Sequence, residues 1–245
     1  MSERSNVTVG ELALGVPEAS RLFEKYGIDY CCGGRRSLED ACTAAGIRVD
    51  DLLRELDEKA EHLPPSDYQG LNQNDLIDHI VGTHHAFTRE ELSRLAGLIR
   101  KVCAVHESRH AELAEVRKTF WQLSDDLLPH MMKEENVLFP YIAALEHGVE
   151  NKAPTATPPF GTVRNPVRMM TIEHETAGAL LRKLRRLTSG YVVPSDACTS
   201  YRTLYGALAG LESDLHQHIH LENNVLFPRA LRHEEQLREG VKTLA

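Results

Sequence analysis

Apolar residues recur at heptad spacing along four stretches of the chain, the pattern of helices that pack into a bundle. The first stretch, about residues 75–105, carries Val81, Leu92, Leu95, Ile99 and Val102 on one stripe, with Asn74 or Asp75 as its cap. The second, about 111–142, carries Leu113, Val116, Phe120, Leu123, Leu127, Val137 and Tyr141. The third begins at Asn165-Pro166, a capping residue followed by proline at the first helical position, and carries Val167, Met170, Ala177, Leu181 and Leu184. The fourth, about 199–228, carries Leu204, Leu208, Leu211, Leu215 and Val225. A turn near Ser108, a Pro-rich loop over 148–164 and a loop over 190–195 join them. Such links favour an up-down-up-down four-helix bundle. No strand alternation competes, so the predicted fold class is all-α.

A small helical unit precedes the bundle. Pro17 to Tyr26 predicts a short helix stopped by Gly27, and Ser37 with Asp40 opens another through Ala45. A third runs over 49–59, capped near Asp50. Between the first two, Cys31-Cys32-Gly33-Gly34 must turn, because paired glycines break regular structure. Residues 61–74 hold Pro64, Pro65 and Gly70 and read as a linker. The expected division is 1–60 for the small unit, 61–74 for the linker, 75–232 for the bundle and 233–245 for a tail.

The pattern H-x-x-x-E-x-N-V-L-F-P occurs twice, from His130 to Pro140 and from His218 to Pro228. The bundle therefore reads as two related helical hairpins. In each copy His and Glu stand four apart and share a helix face. That face is the apolar stripe: His130 lies one heptad after Leu123, Glu134 one after Leu127, His218 one after Leu211 and Glu222 one after Leu215. A buried carboxylate costs several kcal/mol unless it is paired or binds a metal.

The other two helices supply matching residues. His174 lies one heptad after Val167, and His85 one heptad before Leu92. Forty-five residues separate His85 from His130, and 44 separate His174 from His218, so all four fall in one layer of an antiparallel bundle. A single histidine on an apolar stripe is ordinary core; six polar residues in phase at one depth are not. Four imidazoles and two carboxylates suit two metals, each with two histidines and both glutamates bridging. Structural zinc prefers closed thiolate-rich sites, so this mixed nitrogen and oxygen set points to iron, with manganese as the alternative. The Glu-x-x-His motif of ferritin-like proteins is absent. His79, His84, His216 and His220 lie near the layer but off the stripe. His84 and His220 either support ligands or face solvent. His62, His147 and His233 fall near loops and ends, and His106 and His110 at the far turn.

Composition narrows the function classes. The chain has 245 residues, 13 of them histidine, and a net charge of −8. That balance argues against general nucleic-acid binding. No apolar run approaches the ~20 residues of a membrane span, and the start lacks the pattern of a signal peptide. Five cysteines, an odd number with two adjacent, are too few for a disulfide scaffold and suit a reducing cytoplasm. Cys31-Cys32 lacks the C-x-x-C separation of zinc sites and makes only a strained disulfide. The pair reads as packing, as a redox dithiol or as a transient soft-metal ligand. Cys42 is a candidate third thiol, and Cys103 and Cys198 are expected to pack at helix ends.

Together these motifs resemble the RIC (repair of iron centres) family, whose members join a small cysteine-bearing unit to a hemerythrin-like bundle. The resemblance spans nearly the whole chain, through Asp29 to Gly34, His130 to Glu135 and His218 to Pro228. It implies a cytoplasmic stress protein with a non-haem, oxo- and carboxylate-bridged di-iron centre on His85, His130, Glu134, His174, His218 and Glu222. It implies damaged iron–sulfur proteins as partners, with Cys31 and Cys32 as redox or iron-transfer thiols. Iron supply to clusters damaged by nitric oxide or oxidants is the leading reading. The alternatives are a di-iron nitric oxide reductase and a hemerythrin-like oxygen binder or sensor. No nucleic-acid or membrane partner is implied, and a homodimer is left open. A Pro-rich insert near Thr155 to Gly161 departs from the family pattern.

Overall fold

A computed structural model describes residues 7–60, 68, 70–153 and 155–243. His62 and most of the expected linker lie outside these residues. The described residues form eight helices and no strand, with one isolated antiparallel bridge between Thr8 and Ser37.

The small unit contains α1 (Val9–Gly15), α2 (Pro17–Tyr26), α3 (Leu38–Ala45) and α4 (Val49–Ala60). Helix α1 was not expected; Thr8 and Glu11 form a reciprocal capping box that starts it. Gly27 ends α2 and Gly46 ends α3, at φ 67° and 71°, the left-handed conformation that glycine adopts without strain. Val9, Leu22, Phe23, Tyr30, Leu38, Leu52 and Leu56 fill a local core. Cys42 is buried in that core, so it packs instead of joining the vicinal pair.

Four long helices form the bundle. Helix α5 spans 73–106, α6 spans 112–151, α7 is Arg164–Leu187, and α8 spans 199–243. Helix α6 packs on α7, and α5 on α8. The apolar interior has two parts. One contains Leu95, Ile99, Phe120, Leu123, Leu181, Leu208 and Leu211. The other contains Leu76, Ile80, Leu138, Phe139, Met170, Leu226 and Phe227. Along every long helix the predicted His and Glu residues fall at the junction of these two parts.

Several boundaries differ from the heptad reading. Asn72, not Asn74 or Asp75, caps α5, its side chain accepting from the Asp75 N–H at 2.8 Å. Helix α7 begins at Arg164, so Asn165 lies inside its first turn and bonds the Phe160 carbonyl instead of capping. Glu234 of α8 receives the Val163 N–H at 2.9 Å. Glu146 of α6 likewise receives the Gln73 and Asn74 N–H groups at 2.7 and 3.0 Å. These glutamates stand twelve residues after Glu222 and Glu134 of the repeated motif, so the duplication extends past it.

Helices α6 and α8 continue beyond Ile142 and Pro228 because each contains a wide π-helical turn before its proline. These turns span Glu134–Leu138 and Glu222–Leu226. Phe139 N–H bonds Glu134 O and Phe227 N–H bonds Glu222 O, each five residues back. Such turns occur often at functional sites. A proline immediately after the wide turn lacks only a donor that the helix has already rerouted. The extra residue also shifts the helical phase: Val137, expected on the stripe, is 49% exposed, while Leu138 and Phe139 are buried. A third π turn, Ile80–His85, places Ile80 in the core and Val81 only partly so.

The small unit docks on α7 and α8. The Ser213 hydroxyl donates to Glu24 at 3.1 Å. The His220 Nδ1 lies 3.2 Å from the Tyr30 carbonyl. A Cβ on Gly34 would lie 2.7 Å from both Asn224 Oδ1 and Tyr30 O, so the glycine after the cysteines lets the bundle come this close.

Candidate metal centre

The six residues selected by phase meet in one buried layer. His85 ends the π turn of α5, Glu134 and Glu222 open those of α6 and α8, and His130, His174 and His218 come from α-helical segments. All six are at most 3% exposed. They form two overlapping groups: His85, His218, Glu134 and Glu222, and His130, His174, Glu134 and Glu222. Both glutamates belong to both groups.

The imidazoles face each other in pairs. His85 Nε2 lies 3.1 Å from His218 Nε2, and His130 Nε2 lies 3.1 Å from His174 Nε2. The other nitrogens of three of them are engaged by acceptors: His85 Nδ1 with Glu135 at 2.7 Å, His130 Nδ1 with Glu173 at 2.8 Å and His174 Nδ1 with Asn223 Oδ1 at 3.0 Å. Donation from Nδ1 leaves Nε2 as the lone-pair nitrogen. At the His130–His174 pair two such lone pairs face each other and repel unless a cation, a proton or a metal, lies between them. Both Glu134 oxygens and Glu222 Oε2 have no hydrogen-bond partner among the described residues. Unsatisfied carboxylate oxygens at full burial beside lone-pair nitrogens are the donor set of a divalent transition metal.

Electrostatics in the metal-free layer follow the same geometry. Burial works against the His130 cation, but Glu134, Glu222 and Glu173 outweigh it and push its pKa up to about 9. Burial also disfavours the His218 cation, and Glu222 and Glu134 raise it nonetheless. Burial pushes Glu222 upward, yet His218 and His174 hold its carboxyl well below the ordinary range. The layer is therefore a set of carboxylates that retain protons on their imidazole neighbours.

The residues around the ligands were mostly not selected from sequence. Glu135 follows Glu134 as Asn223 follows Glu222, and each orients the histidine of the preceding helix. The duplicated motif held that signal. His84, which the sequence alone leaves between support and solvent, is buried, bonds Asp214 at 2.9 Å and stacks on the His218 ring at 5.8 Å. His220 is buried too, under the docked unit, where desolvation lowers its pKa to about 4. His218 Nδ1 alone among the four imidazoles has no hydrogen-bond partner among the described residues. The two halves are therefore unequal. Removing a partner that orients a metal-bound histidine commonly weakens metal binding by about 10–100-fold. Glu173→Ala should do so at the His130–His174 position while sparing the other, read by metal titration; unchanged affinity would count against Glu173 orienting a ligand.

A cleft of about 340 Å³ reaches His130 and His174 from the surface. Asp125, Asp126, Lys133 and Glu173 line it, so its mouth carries more acid than base. On another side, Cys31 and Cys32 sit against α7, with Cys32 Sγ 3.7 Å from the carbonyl oxygen of His174. The two sulfurs are 3.9 Å apart, and Asp29 accepts from the Cys32 and Gly33 N–H groups at 2.9 and 3.0 Å. Hydrogen bonding to Cys32 and burial push the Cys31 thiol well above its usual range, so it rests protonated. Asp29, Cys31 and Cys32 together offer three close donor atoms.

An all-α bundle with a buried His and Glu layer is the architecture of a hemerythrin-like cation-binding protein. The family model described as the hemerythrin HHE cation binding domain matches residues 75–230, and one described as a domain of unknown function, DUF542, matches 5–60. The iron-sulfur cluster repair protein YtfE of Enterobacter sp. (strain 638) is 38% identical over 226 residues, covering 92% of this chain and 97% of the relative. YtfE of Escherichia coli O1:K1 / APEC matches at the same identity and coverage. The chain belongs to the RIC family. Its buried His and Glu groups make a metal-binding site suited to iron. No helix among the described residues is long and apolar enough to cross a membrane.

Proposed function

We propose that this chain holds two iron ions in the buried layer and supplies iron to iron–sulfur clusters damaged by nitric oxide or oxidants. His85 and His218 would hold one ion, His130 and His174 the other, with Glu134 and Glu222 bridging both. The observation that carries this reading is the pair of glutamates shared between two facing histidine pairs. Iron bound there supplies exchangeable ferrous ion for a damaged cluster. The chain's own residues do the rest: Glu135, Glu173 and Asn223 orient imidazoles, and the cleft at Asp125 and Asp126 offers a cation an acidic path. Cys31 and Cys32, beside the backbone of His174, would receive or pass iron, losing their protons to it. Residues 1–60 then act as a transfer unit for the bundle at 75–232. The reducing cytoplasm is the compartment that keeps such thiols free, and all five cysteines are unbridged.

The test is transfer. Iron-loaded protein mixed with an enzyme whose cluster has been damaged by nitric oxide should restore that enzyme's activity. The Cys31→Ser/Cys32→Ser variant should keep its iron and restore several-fold less. Equal recovery with free ferrous iron at the same concentration would sink the proposal.

A further inference from the structure

A second cluster of metal-type ligands lies at the opposite end of the bundle. His106 and His110 stand four apart where α5 ends and the turn to α6 begins, and Asp196 and Cys198 stand two apart where the α7–α8 connection enters α8. A rise of ~1.5 Å per residue puts His106 about 30 Å along α5 from His85. Neither connection contributes to the layer described above.

Three of these donors converge, and the fourth, Cys198, stands beside His106. His106 Nε2 lies 3.2 Å from Cys198 Sγ, and His110 Nε2 lies 3.0 and 3.2 Å from the Asp196 oxygens. His106, His110 and Asp196 offer ligand atoms all within 4.8 Å of one another. Zinc bonds of about 2.0–2.1 Å to nitrogen and about 2.3 Å to sulfur imply ligand separations of roughly 3.3–3.6 Å in a tetrahedron. The contacts of His106 with Cys198 and of His110 with Asp196 are near those edges; Cys198 lies outside the group of three, and its exposed side chain must turn to complete the set. The Tyr201 ring braces both imidazoles, at 5.2 Å from His106 and 5.4 Å from His110. His106 is buried while Asp196 and Cys198 are exposed, so an ion could enter from solvent onto a fixed base.

His110 stands between two carboxylates, an arrangement that an imidazolium or a bound cation satisfies. Its Nδ1 lies 3.2 Å from Glu112 Oε1 while its Nε2 faces Asp196. A neutral imidazole carries one N–H and cannot donate to both carboxylates. If Nδ1–H serves Glu112, the Nε2 lone pair points at Asp196 and wants a cation. Arg109 is the other cation nearby, 3.9 Å from Asp196. Two imidazoles at a four-residue step, a carboxylate and a thiol make a mixed nitrogen, oxygen and sulfur set, which suits zinc.

We propose that His106, His110, Asp196 and Cys198 form a zinc site that clips the α5–α6 turn to the start of α8. Binding releases the Cys198 thiol proton and forms four zinc–ligand bonds. Cys198, expected to pack at a helix end, is instead an exposed ligand.

The experiment uses the full chain with its iron already loaded. One equivalent of zinc should remain bound after gel filtration while iron content is unchanged, and the melting temperature should rise. His110→Ala and Cys198→Ser should each lose the zinc and the rise while keeping iron. Cobalt(II) in place of zinc should give a sulfur-to-cobalt charge-transfer band that vanishes in Cys198→Ser and persists in Cys31→Ser/Cys32→Ser. The proposal is overturned by zinc that binds only as iron is lost, by zinc retained undiminished in both variants, by a band that depends on Cys31 and Cys32, or by no zinc retained.

Discussion

Glu222→Ala is expected to abolish iron binding at both positions, taking a loaded chain from two ions to none. One residue has this reach because its carboxylate lies among both histidine pairs: Oε1 is 3.0 Å from His218 Nε2 and Oε2 is 3.0 Å from His174 Nε2. Those histidines belong to different groups of donors. Glu134 is placed the same way, 3.3 Å from His130 Nε2 and 3.4 Å from His85 Nε2, so Glu134→Ala should match it. A histidine variant such as His218→Ala should strike one position first. Metal analysis of the purified variants reads the difference directly. Full iron content in Glu222→Ala would remove the bridging assignment, and loss of a single ion would remove its shared character. The bundle itself should survive, because the apolar clusters on either side of the layer are separate from it. A retained helical circular dichroism spectrum distinguishes lost metal from lost fold.

The buried His and Glu layer is legible in the sequence because burial and charge conflict so sharply. A glutamate on an apolar stripe has few physical explanations, and two of them in a duplicated motif fewer still. The heptad phase placed His130 and Glu134 on the buried face, although it also placed Val137 there, which is exposed. It succeeded because both residues precede or open the π turn, so the earlier anchors Leu123 and Leu127 still set their phase. Past Glu134 the heptad count fails in α6, and Pro228 reads as an end because a proline normally stops a helix. Nothing in residue type alone announces that a helix will widen by one residue just before it. The docking of the small unit was illegible for a different reason: its contacts are single polar bonds between distant residues, such as Ser213 to Glu24. Gly33 and Gly34 signal a turn, but not what packs against it. The far histidines carry no assignment in the sequence because Asp196 and Cys198 meet them only through the bundle's topology.

The metal-free and iron-loaded proteins should respond to alkali in opposite directions. Burial disfavours the His130 cation, but Glu134, Glu222 and Glu173 dominate and raise its folded pKa from 6.5 to about 9. A raised histidine stabilises the fold fully below its unfolded value and loses that contribution as pH climbs through the folded value. The metal-free chain should therefore weaken between about pH 6.5 and 9, by roughly 3 kcal/mol from this one group. His220 works in the other window: burial lowers it to about 4, so its contribution is intact above pH 6.5 and fades as pH falls from there. The metal-free chain should then be most stable near the point where the two windows meet. Iron inverts the alkaline limb. The proton on His130 must leave before its lone pair binds metal, so apparent affinity should rise about tenfold per pH unit between about pH 7 and 9. Denaturant titrations at pH 6.5 and 9, with chelator and with iron, check the crossing. Calorimetry in two buffers of different ionisation enthalpy counts the released proton. Parallel pH responses in the two forms, or loading without proton release, would mean that His130 holds no proton for iron to displace.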